Sequence, residues 1–114
     1  MIYRRYQAML TLARVAILLT VAASFPLGAA AQDAGQIVIK DYMFAPNSVT
    51  VKAGTTVKWT NKDDEPHTVV SDTALFRSGA MDTDENFYFK FDKPGTYHFT
   101  CSIHPRMVGT VVVE

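Results

Sequence analysis

Apolar and polar side chains alternate along most of the chain from residue 36 onward. The run Thr55–Thr60 places Val57 and Trp59 on one face, and Asn86–Asp92 separates three phenylalanines from the residues between them. Because successive side chains of a strand point to opposite faces, a period of two is typical of β-strands with one buried face. The same pattern predicts further strands at Ile37–Ile39, Ser48–Lys52, His67–Ser71, Thr96–Cys101 and Val108–Glu114.

Turn signals separate the predicted strands. Ala53–Gly54 and Lys93–Gly95 are short turns, and Asn61–Pro66 is a polar loop. Thr73–Glu85 has no clear period, and we expect at most a short helical turn there. About six to eight short strands separated by turns are typical of an antiparallel all-β sandwich or barrel, which is the predicted fold class.

The first 31 residues have the features of an export signal. Arg4 and Arg5 supply positive charge, Val15–Leu27 is mostly apolar, and Ala29–Ala31 offers small residues for cleavage. We expect a helical signal peptide at 1–31, cut after the last of these alanines, and a periplasmic protein. A retained membrane anchor is the alternative, but the apolar stretch is short for a bilayer span and contains helix-breaking residues.

Residues 32–114 are expected to form one small domain with a modest acidic charge. The full chain has eleven basic and eleven acidic residues. Three of the basic residues lie in the signal segment, so eight remain against eleven acidic ones. A nucleic-acid-binding domain would carry a basic stripe, which is not evident here. The short domain also leaves little room for a substrate cleft, so we do not expect an enzyme.

Four potential metal donors are concentrated in two short segments. Cys101, the only cysteine, is followed by His104 and Met107 in one loop, and His67 lies well upstream. A thiolate, two imidazoles and a thioether are the donors of a blue-copper site, in which the methionine is a weak axial ligand. Thiolate and thioether suit Cu(I), and imidazole also suits Cu(II). We therefore predict that this site binds one copper ion and passes single electrons.

Each donor also has a simpler explanation. Cys101 alone could be a buried core residue or half of an intermolecular disulfide, and Met107 could be a core residue. Structural zinc more often uses several cysteines and disfavours a thioether. A cysteine–histidine nucleophile would need a substrate pocket and a third, orienting group. The combination of four donors favours copper over each of these alternatives.

Other histidine and methionine residues are predicted to lie outside the site. His98 precedes Cys101 by three residues, so strand alternation turns it to the opposite face. Met43 and Met81 lie outside the ligand loop, and we expect them to pack at the surface near the site. Met107 is therefore the preferred axial donor.

At these residues the chain resembles the cupredoxins, specifically the amicyanin-like and plastocyanin-like small blue-copper proteins. The resemblance covers nearly all of residues 36–114. It rests on the segments Lys52–Trp59, Pro66–Val69, Pro94–Met107 and Gly109–Val113. The resemblance implies a Greek-key β-sandwich or barrel with copper near one end, and electron transfer through the exposed edge of His104.

Three positions depart from the pattern of the amicyanin-like proteins. Thr68 stands where asparagine is usual, so its N–H can still bond the Cys101 sulfur, but we expect a weaker side-chain tie across the site. Ile103 stands where proline is frequent and keeps an N–H, which adds a second donor near that sulfur. Arg106 stands where an apolar residue is common and places positive charge beside the expected docking face.

The sequence therefore predicts an exported type 1 copper protein that carries single electrons between redox partners. In this interpretation Cys101 couples electronically to the metal, His67 is the buried ligand, His104 is the exit for the electron and Met107 tunes the site. We expect a monomer whose partner proteins dock near His104, with no nucleic-acid or membrane partner. The alternatives are a copper carrier that delivers the ion and a copper subunit of a larger oxidoreductase complex.

Overall fold

The computed structural model describes residues 35–114, and the regular elements of this range are all β-strands. The predicted signal peptide at 1–31 lies outside the described residues. Within 35–114 there is no helix that is long and apolar enough to span a membrane. The strands are β1 (Gln36–Lys40), β2 (Met43–Ala45), β3 (Ser48–Val51), β4 (Thr55–Asn61), β5 (Val70–Ser71), β6 (Asn86–Phe91), β7 (Gly95–Thr100) and β8 (Val108–Val113).

The strands form two four-stranded sheets that enclose one core. The first sheet has the order β2-β1-β4-β6, and the second has the order β3-β8-β7-β5. Neighbours are antiparallel except for β1 with β4 and β3 with β8, which run parallel. The predicted all-β sandwich is confirmed, but the expectation of purely antiparallel sheets was wrong. Parallel pairs arise from long crossover connections, and side-chain alternation within a strand does not report strand direction.

The core is built from the inward faces that the alternation predicts. Trp59 of β4, Phe91 of β6 and Phe99 of β7 are buried, and Phe87 and Phe89 are half-buried against them. The rings of Trp59 and Phe99 meet edge-on with centroids 5.4 Å apart, which is a favourable aromatic geometry. Because these two residues belong to different sheets, their contact joins the two layers of the sandwich.

The segment Thr73–Glu85 lacks the short helical turn that the sequence allowed there. It contains no helix and instead runs beside His67–Ser71, to which isolated β-bridges at His67 and Val70 connect it. The predicted strand His67–Ser71 is correspondingly reduced to β5. Single bridges satisfy the backbone of both segments without a continuous ladder, so neither has the periodic burial that identifies a regular strand.

Strand β2 was not predicted. It pairs with β1 through the two-residue turn Asp41-Tyr42, in which both residues have positive φ, 53° and 57°. Two-residue hairpin turns with positive φ at both positions strongly favour asparagine, aspartate and glycine. A tyrosine in the second position conceals the turn from a sequence-based prediction.

One end of the sandwich carries the predicted ligands. Strand β4 ends at Asn61 and leads through a short loop to His67, and β7 ends at Thr100, directly before Cys101. The loop after Cys101 returns into β8. Because β7 and β8 are paired neighbours, both ends of this loop are held by the sheet.

Candidate metal centre

The loop from Cys101 to Met107 is closed by its own backbone. The Cys101 N–H donates to the Met107 carbonyl at 3.1 Å, and the Met107 N–H donates to the His104 carbonyl at 2.9 Å. The first bond extends the paired ends of β7 and β8 by one step, and the second closes a turn within the loop. The loop therefore folds back on itself and keeps its three donor residues at the end of the sandwich.

His67 reaches the site from a different part of the chain. Its N–H donates to the Met81 carbonyl at 3.1 Å, and its carbonyl accepts from the Met81 N–H at 2.8 Å. The side chain of His67 is completely buried. The bridge to Met81 thus holds the backbone of His67 in place, and the side chain of His67 has no exposed surface.

Three of the four predicted ligands meet at one point. The Sγ of Cys101 lies 3.8 Å from the Nδ1 of His67 and 3.8 Å from the Nδ1 of His104. The three donor atoms all lie within 4.8 Å of one another. A single ion with bonds of roughly 2.0–2.3 Å can bridge such separations. One thiolate with two imidazoles is a donor set that fits copper in both of its common oxidation states.

Met107, the fourth predicted ligand, is buried. Its backbone bonds both Cys101 and His104, as described above, so its Cα lies next to the cluster. It also belongs to the core of the sandwich, in agreement with the expectation that it could pack there. Its role as axial ligand stays a prediction.

Within residues 35–114, His98, Met43 and Met81 are the remaining histidine and methionine residues, and His98 is not part of the three-residue cluster. His98 is exposed, as expected, and its Nδ1 shares a hydrogen bond with the Thr110 hydroxyl at 3.0 Å. Met43 is exposed, whereas Met81 is buried in the core. The expectation that both methionines pack at the surface was therefore wrong for Met81, because its bridge to His67 draws it inward.

Thr68 ties the two ligand-bearing segments together. Its N–H points at the Cys101 Sγ at 3.4 Å, as expected. Its hydroxyl accepts from the Ser102 N–H at 2.8 Å and shares a second hydrogen bond with the Ser102 hydroxyl, also at 2.8 Å. The side-chain tie across the site is made by these two short hydrogen bonds, because a hydroxyl both donates and accepts. That it is weaker than a tie through asparagine stays a prediction.

The surroundings of Cys101 make its thiol more acidic. Burial raises the pKa of Cys101, but the Thr68 N–H, the imidazoles of His67 and His104 and the Ile103 N–H outweigh burial and lower the pKa from 9.0 to about 6. These contacts favour the thiolate, which is the form that binds metals. The predicted second N–H donor, that of Ile103, is among them.

Asp63 is a buried carboxylate that the sequence pattern did not indicate. Its Oδ2 lies 2.8 Å from the Nε2 of His67, and its side chain is only 7% exposed. Burial raises the pKa of Asp63, but the N–H groups of Tyr42 and Asp41 and the His67 ring outweigh burial and lower the pKa below its ordinary value. A carboxylate at Nε2 keeps the proton on that nitrogen and leaves Nδ1 free to bind a metal.

The loop that carries Asp63 was expected to be simply polar, yet Asn61 and Asp63 are buried. The Asn61 side-chain amide donates to the carbonyls of Glu65 and Met81, both at 2.8 Å, and its oxygen accepts from the Asp63 N–H at 2.9 Å. Asn61 thus folds the loop around its own side chain. Nothing in the sequence distinguishes Asp63 from the exposed acidic residues that follow it.

Tyr42 is a second neighbour of the histidines that the sequence did not reveal. Its ring lies edge-on to His67, with centroids 5.4 Å apart, and edge-on to His104, with centroids 4.9 Å apart. The pKa of Tyr42 is raised by partial burial and by nearby carboxylates, that of Glu65 first. The Tyr42 ring thus contacts both imidazoles.

Comparison with known proteins agrees with this geometry. The chain matches the family model of the cupredoxin-like domain over residues 10–113. It is 34% identical to amicyanin of Paracoccus versutus over 103 residues, which covers 84% of this chain and 78% of that protein. It is 37% identical to plastocyanin of Scenedesmus fuscus over 95 residues, which covers 72% of this chain and 92% of that protein.

The fold is also similar to that of a solved purple cupredoxin from Nitrosopumilus maritimus. The TM-score is 0.66 at 34% identity, and the match covers 70% of this chain and 99% of the other. Copper is the cofactor that fits the clustered donors and that the homologous cupredoxins bind. The chain therefore belongs to the cupredoxin-like family, together with amicyanin and plastocyanin.

Proposed function

We propose that this chain is an exported type 1 copper protein that carries single electrons between redox partners, with His67, Cys101, His104 and Met107 as its ligands. The observation that carries the proposal is the meeting of one thiol and two imidazoles at one end of a closely packed sandwich. Bound copper supplies one-electron chemistry between Cu(I) and Cu(II). The protein supplies geometry, dry surroundings and a surface for partners.

The contacts around the donors support electron transfer rather than substrate turnover. Thr68 donates to the Cys101 sulfur, and Asp63 contacts the far nitrogen of His67. Cys101 and His67 are therefore oriented by groups that are in place before a metal binds. Donors held in this way need to move little when the charge of the metal changes, so we propose an electron carrier that is not itself an enzyme.

His104 is the proposed exit for the electron. It is half-buried, whereas Cys101 and His67 are fully buried. It lies in an open groove of about 390 Å³ whose other lining residues are Tyr42, Ile103, Pro105, Arg106 and Met107. We propose that redox partner proteins dock over this groove on a monomeric chain, and that Arg106 gives the docking face local positive charge.

The visible spectrum of the protein with Cu(II) tests the proposed site. We expect intense thiolate-to-copper absorption that Cys101→Ser abolishes, because the absorbing bond is lost. His104→Ala should alter the band, whereas His98→Ala, which removes an exposed histidine outside the cluster, should leave it unchanged. A wild-type protein that binds copper without a visible band would contradict the proposal.

A kinetic comparison tests electron transfer against copper delivery. An electron carrier exchanges electrons between its Cu(I) and Cu(II) forms much faster than it loses copper to a chelator. A delivery protein shows the opposite order, and that result would overturn the proposed function. Co-purification with an oxidoreductase would instead identify a subunit of a larger complex.

Export to the periplasm is part of the proposal and is supported by the features of residues 1–31. We expect the protein in the periplasmic fraction of its host, with a mature N-terminus at Gln32. Mass spectrometry of the purified protein measures that terminus directly. A full-length chain in the membrane fraction would favour the retained anchor.

A further inference from the structure

The turn between β1 and β2 has an unusual backbone for its sequence. Asp41 and Tyr42 have φ values of 53° and 57°, in the left-handed region that residues other than glycine, asparagine and aspartate rarely occupy. For Tyr42, a bulky residue, this conformation needs a specific stabilising contact. The turn is therefore a place where the surrounding structure holds the backbone in position.

The stabilising contact is the carboxylate of Asp63. Its Oδ1 accepts from the Asp41 N–H at 2.7 Å, and its Oδ2 accepts from the Tyr42 N–H at 2.9 Å. Two successive N–H groups that converge in a turn form a concave site for an anion. Here a side chain of the same protein fills that site.

The same carboxylate contacts a proposed metal ligand. Its Oδ2 also lies 2.8 Å from the Nε2 of His67. Tyr42, the residue whose N–H it accepts, lies edge-on to both His67 and His104. The buried Asp63 carboxylate thus contacts His67 directly. It is linked to His104 indirectly, through the ring of Tyr42.

Asp63 is itself held from behind. Its N–H donates to the Asn61 side-chain oxygen at 2.9 Å, and its carbonyl accepts from the Thr83 hydroxyl at 2.6 Å. These bonds fix the backbone from which the carboxylate projects. The carboxylate is therefore a stable reference point for the turn and for the histidine.

We propose that Asp63 is a positioning residue that fastens the Asp41-Tyr42 turn to His67 and so holds the Tyr42 ring against both histidines. Its effect on the redox properties rests on the proposed copper function. Loss of its negative charge removes a group that favours Cu(II) over Cu(I), so the reduction potential rises. Loss of its two acceptor oxygens releases the turn, whether or not metal is bound.

The substitution Asp63→Asn tests both consequences, because it keeps the shape but removes the charge and one acceptor. In metal-free protein we expect amide hydrogen exchange at Asp41 or Tyr42 to accelerate about tenfold or more, as a charge-assisted hydrogen bond is lost. In the copper protein we expect a higher reduction potential and copper affinity about 10–100-fold weaker, as for other losses of a ligand's hydrogen-bond partner.

Asp92→Asn is the matched control. Asp92 is an exposed carboxylate that follows β6 at the end of the sheet where Phe91 pairs with Thr55, opposite the end of β4 that leads to the site. It undergoes the same charge change, so exchange, potential and affinity should stay close to those of the wild type. Equal effects of the two substitutions would show that the loss of one negative charge anywhere on the protein is sufficient. That result would overturn the proposal.

Variants at Tyr42 test the second part and apply even where Asp63→Asn fails to fold. Tyr42→Phe keeps the ring and should preserve copper affinity and the visible spectrum. Tyr42→Ala removes the ring and should weaken copper binding about tenfold or more while Asp63 stays in place. Identical copper binding in Tyr42→Ala and wild type would exclude a positioning role for the ring.

The two readouts also separate this proposal from the proposed function. A protein without a blue copper centre would end the electron-carrier proposal, but the exchange of the turn amides in metal-free Asp63→Asn would still report on the carboxylate. A normal copper centre combined with unchanged amide exchange and unchanged potential in Asp63→Asn would overturn the role of Asp63 alone.

Discussion

Cys101 illustrates how the neighbours of one residue determine its chemistry. Burial among apolar groups alone would keep its thiol protonated. Hydrogen-bond donors on two segments face the sulfur instead, among them the Thr68 N–H at 3.4 Å. The thiolate is therefore favoured in the folded protein before a metal binds, and fewer protons have to be released when it does.

This environment predicts the titration of the thiol in the metal-free protein. We expect the pKa of Cys101 to be about 6 in the folded state, against 9.0 in the unfolded chain. Because the folded pKa is the lower one, the group contributes stability that is complete above pH 9.0 and is lost as the pH falls through about 6. The ultraviolet absorbance of the thiolate measures the folded midpoint.

The matched variant for this titration is Cys101→Ser. It lacks the thiolate absorbance, and its free energy of unfolding should gain less than that of the wild type between pH 6 and pH 9. A folded thiol with an ordinary pKa, and the same pH dependence of stability in both proteins, would contradict the prediction.

The N–H of Ile103 provides a second prediction at the scale of one residue. This N–H is one of the groups that lower the pKa of Cys101, and hydrogen bonds to a ligating sulfur favour the reduced metal. Ile103→Pro removes the donor, so we expect a lower reduction potential, by roughly 20–60 mV if the bond is worth about 0.5–1.5 kcal/mol. Voltammetry measures the change.

Ile103→Ala is the control for this substitution, because it removes the half-exposed side chain and keeps the N–H. Its potential should remain near that of the wild type. A potential that is unchanged or higher in Ile103→Pro, with the visible band intact, would count against the role of this N–H.

At the scale of the elements, the pairing of β7 with β8 holds both ends of the Cys101–Met107 loop. Phe99 faces Gly109 across the ladder, and the Phe99 ring occupies the space where a Cβ at Gly109 would lie. The absence of a side chain on β8 therefore lets a large ring on β7 lie flat over the neighbouring strand. That ring also contacts Trp59 and Phe44 in the core.

This packing predicts that Gly109→Ala destabilises the protein. The added methyl group has to displace the Phe99 ring, and overpacking of this kind costs about 1–3 kcal/mol. The free energy of unfolding, measured by chemical denaturation of the metal-free protein, reports the cost. The visible spectrum of the copper protein should also shift, because β7 and β8 carry both ends of the ligand loop.

Gly79→Ala is the matched control for Gly109→Ala. A Cβ at Gly79 meets no atom within 4 Å, so the substitution should be neutral or stabilise the protein by up to about 1 kcal/mol. Equal destabilisation by both substitutions would show that the Phe99 contact is not the cause.

At the scale of the whole molecule, the sandwich brings together three segments that are far apart in the chain. The β1–β2 turn, the segment around His67 and the Cys101–Met107 loop meet at one end of the two sheets. Each segment is short and largely irregular, so its position depends on the packed sheets from which it projects. A bound ion would connect two of these segments directly.

Copper should therefore stabilise the entire fold. A ligand that binds only the folded state adds about 2.7 kcal/mol at a concentration one hundred times its Kd. For a domain of this size, each kcal/mol raises Tm by roughly 4–8 °C. Thermal unfolding with Cu(I) or with a chelator measures the difference.

Variants identify the source of this stabilisation. Cys101→Ser should lose most of the copper-dependent rise in Tm, whereas His98→Ala should keep it. An equal rise in Cys101→Ser and wild type would place the bound copper elsewhere on the protein.

Much of this molecule could be predicted from local patterns. Alternation identified the inward faces of β4, β6 and β7, because every second residue of a strand with one buried face is apolar. The chemistry of Cys101, His104, Met107 and His67 indicated copper, because ligand softness is a property of the side chains themselves.

Other features required the packed chain. Three features depend on contacts between distant residues, which the alternation within a strand does not reveal. They are the parallel pairs of strands, the bridge between His67 and Met81, and the burial of Asp63. Asp63 looks like any loop aspartate until Asp41, Tyr42 and His67 surround it. The types of the four side chains therefore indicate the kind of metal. Packing between distant residues determines which other groups contact these predicted ligands.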